Sequence, residues 1–292
     1  MIHSNKDDFF KLLESTAAQS GFSLNLLEKD YYITLLLSGI NSLSKGLVFK
    51  GGTCLSKVYY SYYRLSEDLD FSMILPEGPL TRAMRRGVIK PVKDSIRQYV
   101  EGFGMEIGDI NKAGHNQSTQ YIYMIYYDSA VLGKKQSIKL EISLRFNPLF
   151  PQARRKVNHK FIHPFTKEPL FDAGVVSCLD LKELVAEKMR AAATRLDIAP
   201  RDFYDLWYLA ANGFDFTDPG LWKIFKEKLA EDGFDAGLLK YRVNMGRSEK
   251  EVREMESRIE EELLDVLSPE AKKNFNLKTA LETINRALKE MI

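Results

Sequence analysis

The chain has 292 residues, 45% of them hydrophobic and 28% charged, with a formal net charge of +2. That composition belongs to a globular protein large enough for two cored domains, and the near balance of charge excludes nucleic-acid binding by bulk positive charge, so any basic surface must be local. Two cysteines, Cys54 and Cys178, exclude a disulfide framework, and because neither sits in a Cys-x-x-Cys pair they exclude a zinc ribbon as well.

The opening residues 1–8 are polar with no apolar targeting segment behind them, and the longest apolar run, 33–40, is too short to span a bilayer. A cytoplasmic protein with no membrane partner is expected. Amphipathic helices are expected over 6–20 and 24–43. The second carries Leu26, Leu27, Tyr31, Leu35 and Leu36 in register, with Glu28, Lys29 and Asp30 read as a solvated charged face.

Leu47-Val48-Phe49 reads as a short buried strand. Gly51 and Gly52 force a sharp turn, and 53–63 reads as a helix with Leu55, Val58 and Tyr59 on one face. Glycines allow backbone amides to approach a phosphate closely. The next apolar run holds Asp68-Leu69-Asp70. Alternation along a strand puts the two carboxylates on one face and Leu69 on the other. Carboxylates so placed repel unless a cation lies between them, which suits Mg²⁺ carrying a triphosphate. Without a Gly-Lys-Ser/Thr after the glycines this is not a P-loop.

Residues 81–99 hold Arg82, Arg85, Arg86, Lys90, Lys93 and Arg97, which a helix would gather within an arc of roughly 140°. This stripe is either a surface for an RNA backbone or a solvated face, and Gly87 and Pro91 argue against one straight helix. Strands are expected over 104–111, 119–128 and 137–145, the last placing Ile138, Leu140, Ile142 and Leu144 opposite Lys139, Glu141, Ser143 and Arg145. Proline-containing 148–169, with Arg154-Arg155-Lys156, reads as a linker. His159 and His163 have the spacing of a helical metal pair, but the nearby prolines and the lack of a third ligand make that spacing chance.

From Asp180 the chain reads as helical, with Asp180 as N-cap and Glu183 completing a capping box. Lys188 interrupts an apolar stripe of Leu181, Leu184, Val185 and Ala192, and spacing alone leaves it either snorkelling or bonded to a partner. Glu183, Glu187 and Arg190 fall on a side read as solvated. Phe203, Leu206, Trp207 and Ala210 form the next buried stripe, which leaves Asp205 beside Arg201 on the polar side. Further amphipathic helices are expected over 221–232, 250–267 and 276–291.

Glycine turn, helix and Asp-x-Asp strand, in that order, resemble the core of the polymerase-β-like nucleotidyltransferases. The fuller set is similar to the AbiEii/AbiGii-type toxin branch of that superfamily. It consists of Lys50-Gly51-Gly52-Thr53, Ser66-Glu67-Asp68-Leu69-Asp70, Leu184-Val185-Ala186-Glu187-Lys188 and Arg201-Asp202-Phe203-Tyr204-Asp205-Leu206, with Glu28-Lys29-Asp30-Tyr31 ahead of them. The resemblance spans residues 28–205.

It implies an α/β (α+β) fold: a nucleotidyltransferase domain with a mixed sheet over 1–165, then a helical domain over 166–292 that completes the cleft. It implies Mg²⁺ on Asp68 and Asp70, with Glu141 as the third carboxylate unless that residue is an outward Glu paired with a neighbouring lysine. Gly51, Gly52, Thr53 and Ser66 would seat the nucleotide, Lys188 would contact its phosphate, and Asp205 would be required for activity. The implied reaction moves a nucleotide from an NTP to an RNA acceptor, a tRNA 3′ end, as the toxin of a toxin–antitoxin or abortive-infection system with a cognate antitoxin. Two other readings stay open: a small-molecule nucleotidyltransferase of the aminoglycoside type, and a non-catalytic nucleotide- or protein-binding module.

Overall fold

The computed structural model describes residues 1–163, 166–234 and 237–289. It divides into two compact units, Met1–Leu179 and Asp180–Ile292. Among the described residues no helix is long and apolar enough to cross a membrane.

The first unit is built on an eight-stranded mixed sheet. Its strands are β1 (Leu47–Lys50), β2 (Leu69–Met73), β3 (Glu106–Ile107), β4 (Gly114–His115), β5 (Gln120–Asp128), β6 (Lys135–Ser143), β7 (Ala153–Lys156) and β8 (Val175–Cys178). They lie in the order β3-β5-β6-β2-β1-β8-β7, with β4 paired to β5. β2 runs antiparallel to β1 and parallel to β6, so Asp70 sits between Lys50 on one neighbour and Glu141 on the other. The alternate residues Leu69, Phe71, Leu140 and Ile142 are buried, with Phe49 beside Phe71, and this apolar face fixes the register.

Helices α1 (Lys6–Ser20), α2 (Leu24–Gly39), α3 (Gly51–Cys54) and α4 (Arg82–Glu101) complete the unit. The helix after the glycine turn is shorter than the 53–63 expected. α3 passes into a π-helical turn over Leu55–Tyr59, and Ser61 and Tyr62 then take positive φ values of 40° and 69°. α4 runs unbroken across Pro91, burying Ile89, Val92, Ile96 and Val100. Of the strand expected over 104–111 only β3 forms, and a 3₁₀ turn at Ile110–Lys112 follows it.

The segment read as a linker contains β7, which pairs with β8 and ends the sheet. Arg154, Arg155 and Lys156 are exposed there, and basic side chains suit an edge strand because they discourage pairing with another chain. The boundary expected between 165 and 166 involves Phe165, which lies outside the described residues.

The second unit is helical: α5 (Leu181–Thr194), α6 (Pro200–Ala211), α7 (Pro219–Glu231), α8 (Glu249–Ser257), α9 (Ile259–Glu262), α10 (Pro269–Asn274) and α11 (Leu277–Lys289). Its core gathers Val185, Met189, Phe203, Leu206, Leu221 and Phe225, all fully buried. Asp180 caps α5 by accepting from Lys182 N. The helix expected over 250–267 breaks into α8, α9 and a 3₁₀ turn. The end of the helix expected to reach Met291 lies outside the described residues.

Candidate active site

The glycine turn is dictated by what it packs against. Gly51 has φ +77°, a conformation that L side chains rarely adopt, and a Cβ built there would stand 2.5 Å from Asp70 Oδ2. A Cβ on Gly52 would meet the guanidinium of Arg64, with Ser66 Oγ 3.5 Å away. Thr53 is buried. Its hydroxyl donates to the main-chain carbonyl of Asp68 and lies 2.8 Å from Ser66 Oγ. The turn is thereby tied to the start of the Asp68–Asp70 strand.

Asp68, Asp70 and Glu141 come together on one face of the sheet. Asp70 and Glu141 are direct cross-strand partners, and Lys139, two residues before Glu141, shares its side of β6. The Lys139 ammonium lies 3.7 Å from Asp68 Oδ2 and 3.5 Å from Glu141 Oε2. Burial pushes the Asp70 carboxyl up to about 6, with the Glu141 charge adding to the effect. Burial works against the charge on Lys139, but Asp68, Asp70 and Glu141 outweigh it and hold that ammonium above its ordinary value. On its far side Glu141 Oε1 accepts from Gln120 Nε2 at 2.7 Å, and Asn116 Nδ2 orients that amide by donating to Gln120 Oε1 at 2.9 Å.

The donors are hard carboxylate oxygens on adjoining strands. That chemistry fits Mg²⁺, which takes one or two carboxylates and completes its shell with water and phosphate oxygens. Among the described residues no group of three or more His, Cys, Asp or Glu side chains is already arranged to hold a metal ion. The Lys139 ammonium faces Asp68 and Glu141, and Lys50 on β1 acts on Asp70 from its other neighbouring strand.

In the second unit, Lys188 does not snorkel. Its ammonium, on a side chain only 11% exposed, lies 2.8 Å from Asp202 Oδ1 and 2.9 Å from Asp205 Oδ2. Arg195 approaches the other Asp202 oxygen at 3.2 Å. Asp205 is therefore fully buried, not on the polar side of α6. Periodicity assigns a carboxylate to solvent by default, and it fails where a neighbouring helix supplies the counter-charge. Glu183, Glu187 and Arg190 fail in the same way. Buried Lys228 of α7 sits 2.8 Å from Glu183 and 3.4 Å from Glu187, and Arg190 pairs with Asp232. Glu183 thus serves Lys228 rather than a capping box.

Glu28 and Asp30 of α2 are likewise internal, and Lys29 is half-buried. Glu28 accepts from Ala130 N at 2.6 Å and from the Ser129 hydroxyl, and Lys29 pairs with Glu67 at 3.0 Å. Asp30 lies 2.8 Å from Lys57 Nζ, both side chains being 2% exposed, and Tyr62 OH donates to its other oxygen at 2.9 Å. This network holds the strained turn at Ser61–Tyr62, between the glycine turn and Asp68.

Sequence reasoning missed Asp202, Gln120 and Lys57, whereas Lys139 is the neighbouring lysine it set beside Glu141, and the two do pair. Asp202 was recoverable as the residue one helical turn before Asp205.

His159 donates from Nε2 to Phe171 O at 2.8 Å and stacks on that ring, while His163 Nδ1 accepts from Thr166 N. They are structural, not a metal pair. On α4, Lys90 and Arg97 pair with Asp94 and Glu101 one turn on, at 2.5 Å and 3.7 Å, so the basic stripe is partly neutralised.

A family model described as Nucleotidyl transferase AbiEii toxin, Type IV TA system, matches residues 35–289. No curated protein matches the chain. Among solved structures, the chain is similar to MenT4, a nucleotidyltransferase toxin of Mycobacterium tuberculosis H37Rv, at 18% identity and TM-score 0.56, covering 96% of this chain and 98% of that one. It is also similar to a candidate nucleotidyltransferase of H. pylori, at 18% identity and TM-score 0.52, covering 92% and 95%. At that identity the two structures speak to the fold alone.

Proposed function

Because the chain belongs to the AbiEii nucleotidyltransferase toxin family, we propose that this nucleotidyltransferase moves a nucleotide from an NTP to an RNA acceptor, a tRNA 3′ end, with Mg²⁺ as its metal and a cognate antitoxin as its partner. The observation that carries this reading is the convergence of Asp68, Asp70 and Glu141 on one sheet face, with the Gly51–Gly52 turn packed against Asp70. In the proposed assignment Asp68 and Asp70, with Glu141, hold Mg²⁺, whose contribution when bound is to neutralise developing negative charge on the phosphates.

The protein's own residues do the rest. Gly51, Gly52 and Thr53, with Ser66 beside them, seat the triphosphate, and their rigid ties to the Asp68 strand fix it relative to the carboxylates. Lys188 supplies positive charge to phosphate oxygens. Asp205, fully buried, acts by holding the Lys188 ammonium in place. An acceptor hydroxyl, giving up its proton to solvent, attacks the α-phosphorus, the bond from that phosphorus to the oxygen bridging to the β-phosphate breaks, and pyrophosphate leaves. Such a transfer depends on positioning and charge stabilisation rather than on a protein nucleophile, in keeping with assigned residues that include no cysteine or histidine.

The test is to incubate the protein with Mg²⁺, total cellular RNA and each labelled NTP in turn, beside an Asp68→Asn control. Label should enter a discrete RNA band with the parent and not with the control. Folded parent protein that labels no RNA with any of the four nucleotides would remove the RNA-acceptor reading.

A further inference from the structure

Lys139 stands in the middle of the acidic face, and Lys50 on β1 flanks Asp70. Lys139 is 3.7 Å from Asp68 Oδ2 and 3.5 Å from Glu141 Oε2, while Asp70 lies across the strand pair from Glu141. Three carboxylates outnumber the ammoniums of Lys139 and Lys50, which leaves the cluster net negative, so it still attracts a divalent ion. That ion would need the same carboxylate oxygens that face Lys139, and ammonium and metal repel each other at such a separation.

Lys139 is also free to leave. Its side chain is 37% exposed and its head rides on a flexible four-carbon stem, unlike fully buried Lys57 on the same unit. Glu141 is not free to follow, because Gln120 and behind it Asn116 hold its other oxygen. Glu141 is held and the Lys139 ammonium rides on a long flexible stem, so entry of a metal at Glu141 resolves by movement of Lys139. The group that accompanies such a metal, a polyphosphate, is the natural acceptor for a displaced ammonium.

We infer that Lys139 is a tethered counter-cation: it competes with divalent metal for Asp68 and Glu141, and passes to the phosphate oxygens of the incoming nucleotide. The inference rests on the nucleotidyl-transfer reading of this face and adds a coupling to it. Metal alone binds weakly because it must displace Lys139, and metal with nucleotide binds well because the nucleotide gives Lys139 a new partner.

The probe is Mn²⁺, with free ion read by electron paramagnetic resonance, titrated into the parent, Lys139→Met and Lys139→Arg, with and without a non-hydrolysable NTP analogue. Thermal unfolding of each variant confirms that it is folded, and Lys139→Gln replaces the Met variant if that one is not. Without nucleotide, Lys139→Met should bind Mn²⁺ more tightly than the parent by about tenfold, the order expected for removing one partly screened charge beside a dication. The analogue should tighten Mn²⁺ binding in the parent and Lys139→Arg, and much less in Lys139→Met. Equal Mn²⁺ affinity of parent and Lys139→Met without nucleotide, while both bind the Mn²⁺–nucleotide complex, would overturn the inference and leave the site's function standing. A parent that binds no Mn²⁺ even with nucleotide would overturn the reading of the site and the inference with it.

Discussion

Gly51 presents a bare α-carbon to Asp70: a methyl group there would stand 2.5 Å from Oδ2, and the backbone is already at φ +77°. Gly51→Ala therefore meets two penalties, a left-handed backbone and displacement of a site carboxylate. It should destabilise the protein by about 1–3 kcal/mol and depress nucleotide transfer. Gly52 differs, since its backbone is ordinary and its added methyl would meet the end of the Arg64 side chain. Urea denaturation should rank Gly51→Ala as the less stable of the two alanine variants. The reverse order would mean that the turn is not held against Asp70.

Asp70 gives the fold a pH signature. Its carboxyl is raised from 3.8 to about 6, so the unfolded chain releases this proton first as pH rises. Between those values the folded state binds more protons than the unfolded state, and stability falls as pH increases through the window. The expected loss is on the order of 3 kcal/mol, complete above about pH 6. Asp70→Asn has no such proton to lose. Urea midpoints at pH 4 and pH 7.5 should show the variant gaining on the parent at the higher pH only. A constant offset between the two proteins would show that Asp70 is not held in its neutral form.

Lys188 and Asp205 form a buried pair, so a change at either acts on stability whatever it does to transfer. Lys188→Met would leave Asp202 and Asp205 in the interior without their shared ammonium, at a cost of about 3 kcal/mol. A drop in transfer in that variant alone could not separate a phosphate contact from a structural one. Adding Asp205→Asn removes one stranded charge and should restore much of the stability. If the lysine serves the phosphate, the double variant is stable and still inactive. Recovery of transfer along with stability would return Lys188 to a structural role.

The strands and their alternation were legible in the sequence because each buries one face: Leu69, Phe71, Leu140 and Ile142 are inward, and Asp70 and Glu141 follow on the other side. Register was not legible, and it is register that makes Asp70 and Glu141 neighbours. The helical charges were misread for one reason. Glu28, Asp30, Glu183 and Asp205 look like solvated positions in a helical repeat, yet each is buried against a partner that is remote in sequence or on another helix. A one-dimensional pattern sees the charge and not the counter-charge. The linker reading erred in the opposite sense: prolines around 148–169 obscured β7, a strand short and basic enough to resemble a loop.

The basic face of α4 offers a test that separates RNA binding from nucleotide binding. Lys90 and Arg97 have acidic partners one turn away, so the electrostatic strength of the stripe rests on Arg82, Arg85, Arg86 and Lys93. If an RNA backbone lies along this face, changing Arg82, Arg85 and Arg86 to Gln removes contacts that release counterions. The log–log slope of RNA affinity against salt should then flatten by about 0.7 per lost phosphate contact for a single strand, near 2 in all if each of the three arginines makes one. Affinity for the NTP should not change, because the triphosphate is assigned to Gly51, Gly52 and Thr53 rather than to α4. Filter binding of tRNA across a salt series, alongside calorimetric titration of the NTP, reads both quantities. A triple variant with the parent's slope and the parent's extension of tRNA would exclude α4 as the acceptor surface. A variant that loses NTP affinity as well would show that α4 supports the nucleotide site itself.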